Sequence, residues 1–238
     1  MKKLLSVTAV LIAAALFFAG CNNAANTPED APEEKLPGTW VSSLTYYNPA
    51  TQGNWTYNKN KVSYKCTNAA SLGIEKDYSS TFTCGVSATQ LYGVRAKIKQ
   101  DAFTKAEPGL ILFLKTSENS NGGSTFDQYY SLTFYKGSYT LYEKEIGKQR
   151  VCLSTHKYED GNEYSNTYND AIKDEGNENE VLFYTDGDKM VLKVNGTLIK
   201  TFDKKLDDGK TTACMYIPGG LSGAINANWE FLEFQTAK

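Results

Sequence analysis

Histidine is almost missing from this chain of 238 residues, which holds one, His156. No two cysteines are spaced as C-x-x-C, so neither histidine nor cysteine spacing offers a zinc set. Glu-rich helix motifs of the H-E-x-x-H kind, G-x-S-x-G elbows, phosphate-binding loops and dinucleotide fingerprints are absent too. His156, alone at the end of a candidate strand, reads as a surface residue rather than a base. Strong charge of either sign is lacking, with 25 Lys+Arg against 27 Asp+Glu and a formal net charge of −2. Such a field repels phosphate backbones, which argues against nucleic acid as a partner. After residue 20 there is no apolar run long enough to cross a bilayer as a helix. From Thr39 onward no apolar stripe has the helical period. What is present, 41% hydrophobic and 22% charged residues, is the ordinary content of one folded domain and excludes a disordered or collagen-like chain.

The N-terminus has its own grammar. Met1, Lys2 and Lys3 form a short positive region, Leu4 to Phe18 an apolar one, and Phe18-Ala19-Gly20-Cys21 sets small residues before a cysteine. This arrangement resembles a bacterial lipoprotein signal peptide, with Phe18 standing where leucine is commonest. The resemblance implies that residues 1–20 are removed and that Cys21 carries a diacylglycerol on its sulfur. Acyl chains contribute about 0.8 kcal/mol per buried CH₂, enough for several of them to hold a protein on a membrane without a spanning helix. Asn22 in place of Asp implies release from the inner membrane, hence the outer membrane or cell surface. Residues 21–37, with Pro28, Pro32 and Pro37 among Asn, Ala, Glu and Asp, read as a disordered tether. The folded body is expected over 38–238.

Besides Cys21 there are Cys66, Cys84, Cys152 and Cys214, an even number in a chain expected to be exported. Two disulfides are expected, with three connectivities open; the local one joins Cys66 to Cys84 and leaves Cys152 to Cys214.

The body reads as all-β. Stretches rich in Tyr, Val, Phe, Ile and Thr recur between Gly, Asn and Asp clusters: 39–46, 61–67, 79–84, 91–100, 110–116, 128–135, 138–145, 149–155, 181–185, 188–194, 197–202, 212–217 and 227–234. So many short strands suit a two-sheet antiparallel sandwich better than one open sheet. Three tight turns predict register. Asn195-Gly196 suits a type I′ hairpin pairing Val194 with Thr197 and Leu192 with Ile199. Asp186-Gly187 would pair Thr185 with Asp188 and Phe183 with Met190. Phe183, Met190, Leu192 and Ile199 then face the core, and Leu182, Val191, Leu198 and Phe202 face out on a surface that needs a cover. Lys136-Gly137 pairs Phe134 with Tyr139 and Leu132 with Leu141 inside. The outside receives Tyr129, Tyr135 and Tyr142 with Ser131, Thr133 and Thr140. Val94, Ala96 and Ile98 alternate with Arg95, Lys97 and Lys99, a half-buried strand with a basic outer side.

The order of Gly53-Asn54-Trp55, Gly93–Lys99, the run Pro108-Gly109-Leu110-Ile111-Leu112-Phe113, Tyr129–Tyr135, Val181–Phe202 around Asn195-Gly196, and the closing Asn228–Phe234 resembles the concanavalin A-like lectin/glucanase jelly roll, which includes laminin-G-like modules. The resemblance implies the fold. It lacks the Glu-x-Asp-x-x-Glu strand of the glucanases, whose nearest imitation here, Glu159-Asp160-Gly161-Asn162-Glu163, has the wrong spacing.

No catalytic residues are assigned. Sugar rings have apolar C–H faces, and aromatic side chains beside hydroxyl and amide groups match them. Tyr129, Tyr135 and Tyr142 are therefore the candidate ligand residues, with Thr133 and, if its strand adjoins, Arg95. The acidic stretch between Lys157 and Glu180 is read as a solvated insertion without a strand; Asp and Asn there, with Asp186 and Asp188, are the calcium candidates, and no other cofactor is implied. Trp40, Trp55 and Trp229 are assigned to the core. The expectation is a lipid-anchored envelope protein that binds glycan without catalysis. Two alternatives stand beside it: a glycoside hydrolase, or a structural lipoprotein docking a partner at the apolar outer face around Leu198 and Phe202.

Overall fold

The computed structural model describes residues 36–41, 45–46, 51–52, 55–58, 61–66, 80–85, 91–101, 109–118, 124–157, 159, 161–205, 212–217 and 225–236. Residues 1–35, which hold the expected signal sequence, Cys21 and most of the expected tether, lie outside them, as do Gly53-Asn54. Residues Pro37–Lys238 cluster as one compact unit.

Among the described residues every regular element is a strand: β1 (Thr39–Val41), β2 (Thr45–Tyr46), β3 (Thr51–Gln52), β4 (Trp55–Asn58), β5 (Lys61–Cys66), β6 (Ser80–Gly85), β7 (Leu91–Gln100), β8 (Gly109–Glu118), β9 (Ser124–Tyr135), β10 (Ser138–Lys144), β11 (Val151–Cys152), β12 (His156–Lys157), β13 (Glu163–Tyr164), β14 (Asn166–Tyr168), β15 (Glu178–Asp186), β16 (Lys189–Val194), β17 (Thr197–Asp203), β18 (Thr212–Ile217) and β19 (Ile225–Thr236). A nine-stranded sheet runs β17-β16-β15-β7-β19-β5-β4-β3, with β1 also on β19. An eight-stranded sheet runs β11-β10-β9-β8-β18-β6-β2, with β14 also on β10; β12 and β13 form a small third sheet. All the pairings are antiparallel, and the two large sheets make the expected sandwich.

The period of two explains which face is buried. Val62 and Tyr64, Val94, Ala96 and Ile98, Ile225, Ala227 and Trp229, Val181 and Phe183, and Met190, Leu192 and Val194 point inward from one sheet. Leu110, Tyr130, Leu132 and Phe134, Tyr139 and Leu141, and Ala213, Met215 and Ile217 meet them from the other. The Val, Leu, Ile, Phe and Met side chains among them contribute roughly 1.5–3 kcal/mol each by leaving water. Tyr130 and Phe183 join the layers edge to face at 5.7 Å, and Trp229 lies against Trp55 at 5.3 Å. Trp55 and Trp229 are thus core residues; Trp40 is half-buried and sits edge-on to Tyr184 at the sheet's outer side.

The turns account for most of the register. Lys136 and Gly137 both take positive φ, 44° and 72°, as a type I′ turn requires, and Phe134 faces Tyr139 and Leu132 faces Leu141. Asn195 and Gly196 do the same, with φ 50° and 79°, and Val194 faces Thr197.

Four expectations are corrected. The loop between β15 and β16 is Gly187-Asp188, not Asp186-Gly187: Asp186 pairs with Lys189 and Phe183 with Leu192. Gly187 supplies the positive φ of 61° at the first loop position, where glycine is preferred in a type II′ turn. Because the slip is even, the inward set is unchanged.

Further along, a bulge between Leu192 and Lys193 moves Leu192 opposite Lys200 instead of Ile199 and sets Phe202 opposite Met190. An extra residue reverses the alternation beyond it. Phe202 therefore packs inward, 5.3 Å from Tyr130, while Leu198 stays 56% exposed. The apolar outer patch is smaller than expected.

The stretch after Lys157 carries strands β13 and β14, and Ile172 from it is buried in the core.

Neither Cys152 nor Cys214 is in a disulfide, so the expected pair of bridges does not form: each of the three open connectivities needs all four of Cys66, Cys84, Cys152 and Cys214. Cys152 lies on β11 and Cys214 on β18, with β10, β9 and β8 between them. At about 4.8 Å per strand that is roughly 19 Å, against a limit of about 7 Å between bridged Cα atoms.

Candidate functional site: an aromatic face beside a basic loop

The strand pairings put Tyr129, Ser131, Thr133 and Tyr135 of β9 on the outer side of the eight-stranded sheet. Tyr142 stands opposite Ser131, Thr140 opposite Thr133 and Ser138 opposite Tyr135. The three candidate tyrosines thus share one face and are all half-buried. They are not one cluster. Tyr129 and Tyr135 are six residues apart on one strand, roughly 20 Å, with Tyr142 toward the Tyr129 end. The middle is closed: Thr133 is 4% exposed, and Ser131, Ser138 and Thr140 are buried as well. Cys214 and Tyr216 of β18 are buried on this same outer side, packed with Tyr129. Tyr216 comes so near Gly109 that a Cβ there would lie 2.4 Å from its ring and 2.6 Å from the Leu132 carbonyl oxygen.

Arg95 does not join this face. It belongs to β7 in the other sheet, where its guanidinium pairs with Glu180 at 3.2 Å and Glu233 at 3.0 Å. Asp186 and Asp188 are exposed at the β15–β16 hairpin, and among the described residues no three His, Cys, Asp or Glu are grouped to hold a metal. His156 is exposed opposite Tyr164 in the small sheet.

The Tyr129 end continues into the loop from β10 to β11. Lys144 donates from Nζ to the Lys148 carbonyl at 2.7 Å, and Lys148 Nζ pairs with Glu145 Oε2 at 2.6 Å. Both contacts bend the loop back on itself, as does the Lys148 amide donating to the Glu145 carbonyl at 3.2 Å. The return stroke lays the Arg150 guanidinium over the Tyr142 ring, 3.9 Å from its centroid, a cation–π contact worth about 0.5–1 kcal/mol at such sites. Tyr142 therefore offers its covered face to Arg150 and not to solvent. Tyr129, Lys144, Gly147, Lys148, Gln149 and Arg150 enclose an open cleft of about 490 Å³. Sequence reasoning missed the three cations; their signal was the alternation of base and turn residues across Lys144–Arg150.

On the core side of the same strands lies a different polar group. Glu143, 2% exposed, accepts from Lys205 Nζ at 3.0 Å, and the Lys205 amide donates to the Tyr130 hydroxyl at 3.2 Å. Burial holds the Tyr130 hydroxyl far above the usual phenol range; the Lys205 amide opposes the shift and the Glu143 carboxylate adds to it. Burial raises Tyr139 as well, with Cys152 contributing. These groups face the other sheet and are not part of the cleft.

No protein-family model matches the chain, nor does any curated protein sequence. Solved structures do match. LamAcat from Zobellia galactanivorans is similar at 10% identity and a TM-score of 0.52, covering 83% of this chain and 90% of that one. The catalytic domain of an endo-1,3-beta-glucanase (laminarinase) from Thermotoga petrophila is similar at 10% identity and 0.51, covering 86% and 93%. The kappa-carrageenase from Pseudoalteromonas carrageenovora, solved with an oligotetrasaccharide of kappa-carrageenan, is similar at 12% identity and 0.50, covering 87% and 99%. At these identities the likeness carries architecture and not activity. With the sheet order and the inward alternation described above, it makes this chain a two-sheet antiparallel β-sandwich with the jelly-roll architecture of these structures.

Proposed function

We propose that this protein is a lipid-anchored envelope protein whose jelly-roll body holds carbohydrate without catalysis, on the outer face of the eight-stranded sheet at the Tyr129 end. The observation that carries this reading is Tyr129, half-buried in the wall of an open cleft whose other lining residues are all polar, charged or glycine. An aromatic wall with hydrogen-bonding neighbours suits the apolar face and hydroxyl edge of a sugar ring. Support of a general kind comes from the similar structures, which include a glucanase and a carrageenase solved with an oligosaccharide of carrageenan.

The test is retention of the full detergent-solubilised chain on immobilised polysaccharides. Tyr129→Ala is expected to weaken retention about tenfold, equivalent to about 1.4 kcal/mol, in a chain that still unfolds cooperatively well above the assay temperature. Retention of none of the polysaccharides, or equal retention by the variant, rejects the site. Release of reducing sugar would move the reading to a hydrolase. The anchor is a separate matter: labelled palmitate is expected in the native chain and not in Cys21→Ser, and its failure to enter the native chain rejects the envelope assignment.

A further inference from the structure

The charges of the β10–β11 loop are unequal in a way that bears on ligand class. Lys148 is neutralised by Glu145 three residues before it. Lys144 is tied only to a backbone carbonyl, and Arg150 only to the Tyr142 ring; among the described residues neither cation has a carboxylate partner. Two uncompensated positive charges therefore line one cleft of a chain whose net charge is −2. A polyanion gains nothing from such a body as a whole, so any attraction must be local.

The geometry of the two cations differs. The Arg150 guanidinium lies over the Tyr142 ring, 3.9 Å from its centroid, and its planar fork is suited to two parallel hydrogen bonds to a planar carboxylate or to two oxygens of a sulfate. Lys144 supplies a point charge from the neighbouring strand. Tyr129 completes the wall with an aromatic surface. The cleft, about 490 Å³, falls within the roughly 300–1,000 Å³ of small-molecule sites.

We infer that the cleft between Tyr129 and the β10–β11 loop takes an acidic sugar, its ring against Tyr129 and its carboxylate or sulfate on Arg150 and Lys144. This rests on the carbohydrate reading above and narrows it to anionic saccharides. It also assigns Tyr142 a positioning role, as the platform that orients Arg150.

The experiment compares the full chain in affinity electrophoresis through gels containing dextran, dextran sulfate or polygalacturonate, at low and moderate salt. The native chain is expected to be retarded more by the acidic polymers than by dextran, and the sulfate and carboxylate arms separate the two sources of negative charge. Lys144→Gln/Arg150→Gln is expected to lose about tenfold in apparent affinity for the preferred acidic polymer and clearly less for dextran. Arg150→Lys, which keeps the charge and loses the fork, is expected to fall between. Lys97→Gln/Lys189→Gln removes the same formal charge from the other sheet and is expected to change nothing.

Equal loss in that control pair reduces the effect to overall charge and overturns the inference. So does an equal loss on dextran, or the absence of any preference for acidic polymers, while sugar binding itself stands. Failure of the native chain to be retarded in every gel rejects the carbohydrate reading and this inference together.

Discussion

The two large sheets present opposite outer faces. On the nine-stranded sheet, charge is matched strand by strand: Lys61 with Glu230, Arg95 with Glu180 and Glu233, Lys97 with Glu178, and Lys189 with Asp203. On the eight-stranded sheet the outer residues described on β9, β10 and β18 are mostly Tyr, Ser, Thr and Cys, with Lys144 and Arg150 at one end and Lys136 over the Tyr135 ring at the other. Cross-strand ion pairs neutralise the cations that take part in them. Aromatic rings among hydroxyls leave directional surface without charge, which is the kind of face a neutral or anionic sugar can use. Ion pairs thus dominate one outer face and aromatic rings among hydroxyls the other.

That contrast can be broken most severely at Gly109. Its missing Cβ is what lets Tyr216 lie flat beneath the aromatic face. Gly109→Ala is expected to cost about 1–3 kcal/mol through forced repacking, read as a lower denaturant midpoint. Loss of that size would show that the aromatic face is also tightly packed.

Alkali is the next probe, and it acts between the faces. Tyr130 and Tyr139 have folded-state pKa values raised above the unfolded value of about 10. A raised value means the native state keeps its protons longer, so stability is intact below pH 10 and declines above it, by at most about 1.4 kcal/mol per pH unit for each tyrosine still protonated in the fold. Denaturant titrations from pH 8 to 11.5 should show the decline, and Tyr130→Phe should make it shallower.

The smallest effect is expected on the charged face. Arg95 is partly exposed, so Arg95→Ala should cost no more than about 1 kcal/mol, and the difference from the native chain should shrink in 1 M salt. A larger, salt-insensitive loss would mean the ion pairs hold the sheet.

Much of this architecture is written locally. Wherever a turn forces positive φ, as at Lys136-Gly137 and Asn195-Gly196, the period of two carries the inward and outward assignment along both strands, and the tyrosine face follows from it. The slip at Gly187-Asp188 did no harm because an even displacement preserves the alternation. The bulge at Leu192 did, because nothing in Leu192, Lys193 or Ile199 announces an extra residue, and Phe202 changed sides in consequence.

Strand order is less legible still. Arg95 and the tyrosines share the alternation expected of neighbours, yet they lie in different sheets, and Cys152 and Cys214 lie in one sheet with three strands between them. Pairings across such distances depend on which apolar faces meet, and a single sequence does not encode that in its spacing. The cleft was hidden for a third reason: Lys144, Lys148 and Arg150 form a site only because the loop folds back over Tyr142.

The place of β19 has a consequence for how this protein comes into being. Ile225–Thr236 lies between β7 and β5 and pairs with both, and it leaves the ribosome long after either of them. Until it arrives, two hydrogen-bonding margins of the main sheet stand open, so the chain has no native state to fall into while it is still being made. The main sheet is therefore completed only once its last strand has been made.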